Sequence, residues 1–328
     1  MRLPPNRRPV ELIERTFPSA NMAIIRGPRP ILIDPGFATD AAEVEAHLDR
    51  LDLHPRDLQC IALTHYHCDH NGAVEYFQQT YGVPVAAERT EAAAAVDGTL
   101  RRMVSRWYVQ PAPRYTVDVY LDDGMVLETG GPAVQAVATP GHTVGHLSFV
   151  TDEGTLIAGD TFHASDVAPV TPFREGATSL HRLIESIHRL LAIDAPVRRA
   201  LSGHGPLITA PVEAMEAALE RLDTWVAEPE RAAWHALKRL GTYNLMLTDG
   251  MTERDFTTFL QAPWFVDYAK HAFDTTPQDF VTSYIAELKR ANAVVIDEGV
   301  MRPTTPYHPP PPGWLAGDTG LIFAQFSR

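Results

Sequence analysis

The 328-residue sequence predicts an α/β fold followed by a mostly helical C-terminal module. Three observations point there. From about residue 10 to 205, short apolar runs alternate with helix-length amphipathic segments. Between residues 115 and 158 such runs follow one another closely, separated by Asp-Gly and Gly-Gly, as in a meandering sheet. After Pro206 the pattern turns helical and stays so to about residue 292.

Taken in order, Met22–Arg26 and Pro30–Asp34 are apolar runs divided by Gly27-Pro28 and closed by Pro35-Gly36, which predicts an opening hairpin. Thr39–Leu51 predicts a helix with Val44, Leu48 and Leu51 on one face. Cys60–Leu63 reads as a short buried strand. Asn71–Phe77 then starts a helix and Val83–Ala87 a strand. The second block predicts strands at Tyr115–Leu121, Met125–Thr129, Ala133–Ala138, Leu147–Val150 and Thr155–Ala158. A helix over Ser179–Leu191 and a strand over Val197–Leu201 end it at Ser202-Gly203-His204-Gly205. We place a boundary at residue 208, with residues 1–208 as one domain and 209–328 as the helical module. In the module, Met215, Leu219, Leu222 and Trp225 repeat at helical spacing. Phe280–Ala291 predicts a helix, and the Gly299-turned segment after it a hairpin, the pattern of a winged-helix-like unit. Pro309–Pro312 reads as a stiff spacer.

Composition narrows the function classes. Hydrophobic residues make up 45% and charged residues 21%, as in ordinary soluble proteins. The formal net charge of -13 repels phosphate backbones, so nucleic acid is a disfavoured partner. Two cysteines, Cys60 and Cys68, cannot supply a disulfide framework for this length. No apolar run follows the basic start at Met1–Arg8, and none approaches membrane-spanning length. A cytoplasmic protein with no membrane partner is the expectation.

The chemistry is concentrated in Thr64-His65-Tyr66-His67-Cys68-Asp69-His70. His65, His67 and Asp69 are spaced by two, so an extended segment would project all three from one face. His70 follows as the chain enters a helix. Imidazole and carboxylate together suit zinc, iron or manganese. Further candidates stand at strand ends beside glycines: His142 after Gly141, Asp160 after Gly159 and His204 after Gly203, where glycine would allow a sharp turn. His146 reads as a support for the ligands, Cys68 as a small buried filler and Tyr66 as packing. His163 reads equally as a residue reaching substrate and as a surface one.

These residues resemble the HxHxDH signature of the metallo-β-lactamase superfamily. His142, Asp160 and His204 match its later ligand positions, and Leu32-Ile33-Asp34-Pro35-Gly36 its opening segment, over residues 10 to 206. The resemblance implies an αβ/βα sandwich with the metals at one sheet edge. It implies that His65, His67 and His142 hold one divalent ion, that Asp69, His70 and His204 hold a second, and that Asp160 bridges both. Two Zn2+ ions are the first expectation, with iron or manganese as alternatives. A metal-bridging hydroxide would be the nucleophile, and Asp69 the candidate catalytic acid/base.

The substrate must be read from the pocket. Residues 88–114 and 162–178 are the expected loops over the metals, with Trp107, Tyr108, Pro111, Phe162 and Phe173 suiting a small organic substrate. Subfamily departures guide the choice. His67 stands where flavodiiron reductases carry glutamate. Thr139–His146 resembles glyoxalase II-like thioesterases, yet Gly72-Ala73 departs from their paired glycines and no basic cluster for glutathione is evident. Winged-helix-tailed endoribonucleases match the architecture, but not the charge. The reading is a hydrolase of a small-molecule ester, thioester or lactone. The alternatives are a nuclease or phosphoesterase, and a mononuclear iron redox enzyme. The C-terminal module is expected to form a homodimer or to cover the site.

Overall fold

Alternation along the strands sets the layers of this molecule. The computed structural model describes residues 8–96, 108–172, 176–194 and 197–315. Six strands form the first sheet, in the order β1 (Val10–Ile13), β2 (Met22–Ile25), β3 (Ile31–Ile33), β4 (Cys60–Ala62), β5 (Val85–Ala87) and β6 (Val119–Tyr120). The first three are antiparallel neighbours, and β3 to β6 run parallel. The second sheet holds β7 (Val126–Glu128), β8 (Ala133–Ala138), β9 (Leu147–Thr151), β10 (Thr155–Gly159) and β11 (Arg199–Ser202), antiparallel except for the β10–β11 pair.

Successive side chains of a strand leave opposite faces, and here the two faces enter different cores. Ala23, Ile25, Ile31, Ile33, Cys60 and Ala62 pack against Ala136, Phe149, Ile157 and Leu201 of the second sheet. Their neighbours Met22, Ile24, Leu32 and Ile61 turn outward onto Val44 and Leu48 of helix α1 (Ala41–Arg50) and Phe77 of helix α3 (Val74–Tyr81). On the far side, Val137, Val150, Leu156 and Ala158 meet Leu183 and Ile187 of helix α5 (Ser179–Leu191), the helix after α4 (Arg89–Val96). The result is the four-layered αβ/βα sandwich.

Two expectations change. Tyr115–Leu121 was placed in the second block, but only Val119–Tyr120 is strand, and it pairs parallel with β5 in the first sheet. The His65–Asp69 segment is not extended throughout: His67 is the last extended residue, and Cys68–Asn71 forms the short helix α2. Asp69 therefore projects from a helical turn, not from a face shared with His65 and His67. Bonds from His70 N and Asn71 N to His67 O close that turn at 3.0 and 3.1 Å.

Helix α6 (Pro211–Ala227) follows residue 208, and its Met215, Leu222 and Trp225 join the outer core of the second sheet. Helices α7 (Pro229–Leu247), α8 (Glu253–Phe259), α9 (Pro263–Phe273) and α10 (Pro277–Arg290) build a separate core around Phe256, Phe265, Phe280 and Tyr284. Strand β12 (Met251–Thr252) pairs with β14 (Val300–Pro303), which pairs with β13 (Val294–Asp297), giving helices and a hairpin in a winged-helix-like order. Among the described residues, no helix is long and apolar enough to cross a membrane.

His235 of α7 ties the module to the sandwich by donating its Nε2 proton to Val167 O at 2.9 Å. Burial, reinforced by the charge of Arg221, holds its pKa down to about 4. An unfolded histidine near 6.5 binds a proton that folded His235 does not, so this contribution to stability is full above about pH 6.5 and is lost as pH falls toward 4. We expect His235→Gln to remove about one proton from the pH dependence of unfolding in that interval, measured by urea denaturation at stepped pH. An unchanged dependence would contradict the assignment.

Candidate metal centre

Strand ends deliver the site. Strands β3 and β4 of the first sheet, and β8, β10 and β11 of the second, finish at one edge of the sandwich. Their following residues are Asp34, His65 to His70, His142, Asp160 and His204. All seven predicted ligands come together there. Three sets have ligand atoms within 4.8 Å of one another: His65, His67 and His142; His65, His70 and Asp160; and Asp69, His70 and His204.

Hydrogen bonds behind the rings determine which nitrogens face inward. Thr64 Oγ1 donates to Asp34 Oδ2 at 2.7 Å and so accepts from His65 Nδ1 at 3.0 Å. His142 Nδ1 donates to Pro169 O at 2.8 Å. In their neutral forms, His65 and His142 therefore turn Nε2 lone pairs inward. Both aim at His67 Nδ1, at 3.0 and 2.8 Å. One nitrogen can supply one proton to two such lone pairs, whereas a cation among the three satisfies all of them.

The second half is similar. His70 Nδ1 donates to Asp34 Oδ2 at 2.8 Å, leaving Nε2 buried and without a hydrogen-bond partner. That atom lies 3.5 Å from Asp160 Oδ1 and 4.0 Å from Asp69 Oδ2, and Asp69 Oδ2 is 3.0 Å from His204 Nε2. Asp160 spans the halves, with Oδ2 3.4 Å from His142 Nε2 and Oδ1 toward His70. A divalent cation would satisfy this orphaned buried nitrogen and the carboxylates around it, so these residues fit a divalent pair.

Electrostatics follow from burial and this crowding. Burial and the neighbouring imidazoles hold His65 well below the usual histidine range. Burial opposes protonation of His70 too, but Asp34 and Asp160 outweigh it and raise its pKa well above the ordinary value. Burial would raise Asp160, yet His70, His163 and His142 hold it well below the carboxylate range. His146 is no ligand: its Nε2 accepts from Asp160 N at 3.0 Å, Thr139 Oγ1 meets its Nδ1 at 2.9 Å, and burial holds its pKa at about 3. It fixes the backbone of Asp160.

Close packing explains the glycines in two ways. Gly159 has φ +53, the left-handed turn expected before Asp160. Gly203 instead supplies space: a Cβ there would lie 2.1 Å from Asp160 Oδ1 and 2.6 Å from His70 Cε1.

Over the cluster lies a cavity of about 350 Å³. His67, Asp69, His142, Asp160 and His204 line its floor, and Leu240, Tyr243 and Met246 of α7 form part of its wall. Of the predicted lid residues, Tyr108 lines the cavity. Phe162 does not; it is fully buried in the outer core of the second sheet, because its side chain joins Leu183 and Ile187. Pro111 is absent from the lining, and Trp107 and Phe173 lie outside the described residues. Cys68 is buried as expected yet borders the cavity, and His163 reaches it, 3.5 Å from Asp160 Oδ1. Tyr66 packs with Cys68.

Several contributors carry no sequence signal. Asn21 donates to Ser202 O and Gly205 O, both at 2.8 Å, and so holds the His204 turn. Phe17 stacks on the His204 ring at 4.2 Å. Tyr243 donates to Gln110 Oε1 at 3.1 Å. Only hydrophobic spacing marks α7 in the sequence, and spacing does not say which face meets a distant site.

The family model described as the metallo-beta-lactamase superfamily matches residues 15–224, and the chain belongs to that superfamily. It is 29% identical over 182 residues to a hydroxyacylglutathione hydrolase of Acidiphilium cryptum, covering 55% of this chain and 62% of the relative. It is 29% identical over 194 residues to a beta-lactamase-like protein 2 homolog of Drosophila melanogaster, covering 58% of this chain and 59% of the relative. The chain thus spans about three fifths of the length of these relatives. The crystal structure of a metallo-beta-lactamase family protein from Thermus thermophilus shares the fold, with a TM-score of 0.54 and 22% identity, covering 90% of this chain and 98% of that one.

Two substitutions test the construction. Gly203→Ala should keep the far-ultraviolet circular dichroism of the fold while losing bound metal, measured by elemental analysis after dialysis. Asp34→Asn should weaken metal retention roughly 10- to 100-fold in a chelator competition, because His70 loses its carboxylate acceptor. Full metal content in both variants would contradict this geometry.

Proposed function

We propose that the protein is a dinuclear metal-dependent hydrolase of a small-molecule ester, thioester or lactone. His65, His67 and His142 would hold one divalent ion, Asp69, His70 and His204 the other, and Asp160 would contact both. The observation that carries this reading is the cavity of about 350 Å³ with two adjoining ligand sets on its floor and a largely apolar wall above. Its size suits a small molecule. Imidazole and carboxylate donors without thiolate ligands suit zinc in a reactive site, with iron or manganese fitting the same donors. When bound, such a pair supplies Lewis acidity and lowers the pKa of water toward about 7.

The protein's own groups have separate tasks. Asp69, partly exposed at the cavity floor, orients the nucleophile and accepts its proton, while its Oδ2 faces His204. Burial and the charge of Asp69 hold the Tyr243 phenol protonated, and that proton, donated to Gln110 Oε1, fixes the ring on the cavity wall. Phe17 stacks on the His204 ring and lines the cavity beside it. The match to relatives named hydroxyacylglutathione hydrolases favours a thioester among the three bond types.

The nuclease reading calls for a basic groove. The described lining instead carries the carboxylates of Asp69, Asp160 and Asp166 against one guanidinium, Arg239. The mononuclear iron reading leaves the set of Asp69, His70 and His204 without a task. Cys60 and Cys68 are buried and form no disulfide, which supports a reducing compartment such as the cytoplasm.

Metal quantification combined with a screen of esters, thioesters, lactones and phosphodiesters tests the proposal. The expected result is two metals per chain and turnover of a carboxylic ester class. One iron with oxygen consumption, or turnover of phosphodiesters alone, would overturn it. Asp160→Ala should lose the metal pair and activity together, and retention of full activity would refute its shared role.

A further inference from the structure

Within a chain of net charge -13, positive charge collects on one side of the cavity. Asp166 is its hub. Its Oδ1 accepts from Arg221 Nη1 at 3.0 Å, and its Oδ2 pairs with Arg239 Nη2. One carboxylate between two guanidiniums leaves one positive charge uncompensated. His235 lies 3.9 Å from Asp166 Oδ1, but burial keeps it neutral near pH 7 and its Nε2 proton goes to Val167 O. The count is unchanged.

The two arginines differ in one respect: Arg239 lines the cavity and Arg221 does not. The Arg239 side chain is 44% exposed, and among the described residues its guanidinium meets no acceptor besides Asp166. Several N–H donors of a planar fork therefore remain available at the cavity wall. Arg239 and His163 both line the cavity, and His163 Nε2 is 3.5 Å from Asp160 Oδ1. The guanidinium and the candidate metal cluster thus border the same cavity.

We propose that Arg239 is a specificity-determining residue that binds an anionic group, a carboxylate or phosphate, on the substrate whose scissile bond lies over the metal cluster. This rests on the hydrolase reading above. Tyr243 and Met246 lie on the same face of α7 as Arg239 and line the cavity with it, giving the carbon frame of an anionic substrate an apolar surface beside the guanidinium. Asp166 restrains the guanidinium beforehand, so binding freezes little additional side-chain freedom.

The experiment uses the metal-loaded full chain and ligands that cannot be hydrolysed at an ester bond. N-phenylglutaramate, its neutral primary amide and an analogue of equal length ending in phosphonate are titrated by calorimetry. An anionic ligand is expected to bind roughly 10- to 100-fold more tightly than the neutral one, and the tighter anion identifies the group. Arg239→Gln should abolish the preference, Arg239→Lys should keep a weaker one, and Arg221→Gln should retain it. No preference in the parent protein overturns the proposal. So does a preference surviving Arg239→Gln, which places the anion on the metals, or an equal loss in Arg221→Gln, which reduces the pair to a structural role. With matched thioesters, Arg239→Gln should raise KM for the anionic member and leave kcat unchanged. If no ester or thioester is turned over while Arg239-dependent binding persists, the hydrolase reading fails and the anion subsite stands.

Discussion

The carboxylate of Asp34 is the constraint on which the centre depends. It accepts three bonds, from Thr64 N at 2.9 Å, Thr64 Oγ1 at 2.7 Å and His70 Nδ1 at 2.8 Å. Because the Thr64 proton is committed to Asp34, the Thr64 oxygen is left to accept from His65. One buried carboxylate thus determines the inward-facing nitrogen of His65 and His70, one residue from each metal set. Asp34 itself sits at φ +53, in the left-handed region, at the end of β3. Strand geometry, side-chain hydrogen bonding and ligand basicity are linked through that position.

The two sheets must also meet correctly for the sets to close. Leu147 N bonds to Thr64 O at 2.8 Å, and Asn21 N to Gly203 O at 2.7 Å, so the backbone is stitched across the sandwich beside the ligands. Within the second sheet, His146 links the adjoining ends of β9 and β10 by accepting from Asp160 N. These contacts are buried, where an unpaired polar group would be costly. Their satisfaction ties formation of the centre to packing of the core beneath it.

Much of this was legible in the sequence because it is local. Short continuous apolar runs marked β2, β3 and β4, and the Ser179–Leu191 helix agrees residue for residue with its amphipathic pattern. The ligands were legible because their spacing and flanking glycines are chemical requirements. Extension through Asp69 was misjudged, since a single helical turn at Cys68 leaves no periodicity to detect. Val119–Tyr120 was assigned to the wrong sheet, because strand-forming residues do not state their partner. Phe162 was read as a lid residue, although a phenyl ring fits a core as readily as a pocket. The wall was illegible for the same reason: Tyr243 and Arg239 become neighbours of Gln110 and His163 only after distant segments pack.

Floor and wall of the cavity have different structural origins. The floor grows from strand ends seated on the core between the sheets, whereas α7 is seated on Phe256, Phe265, Phe280 and Tyr284, a core of its own. Arg239 of α7, outside the cluster in which Tyr243 and Met246 pack on Phe37, can therefore drift during evolution, or be redesigned, with the reacting centre held constant. The molecule separates what the bond-breaking apparatus requires from what the choice of molecule requires, and places the two in different folding neighbourhoods.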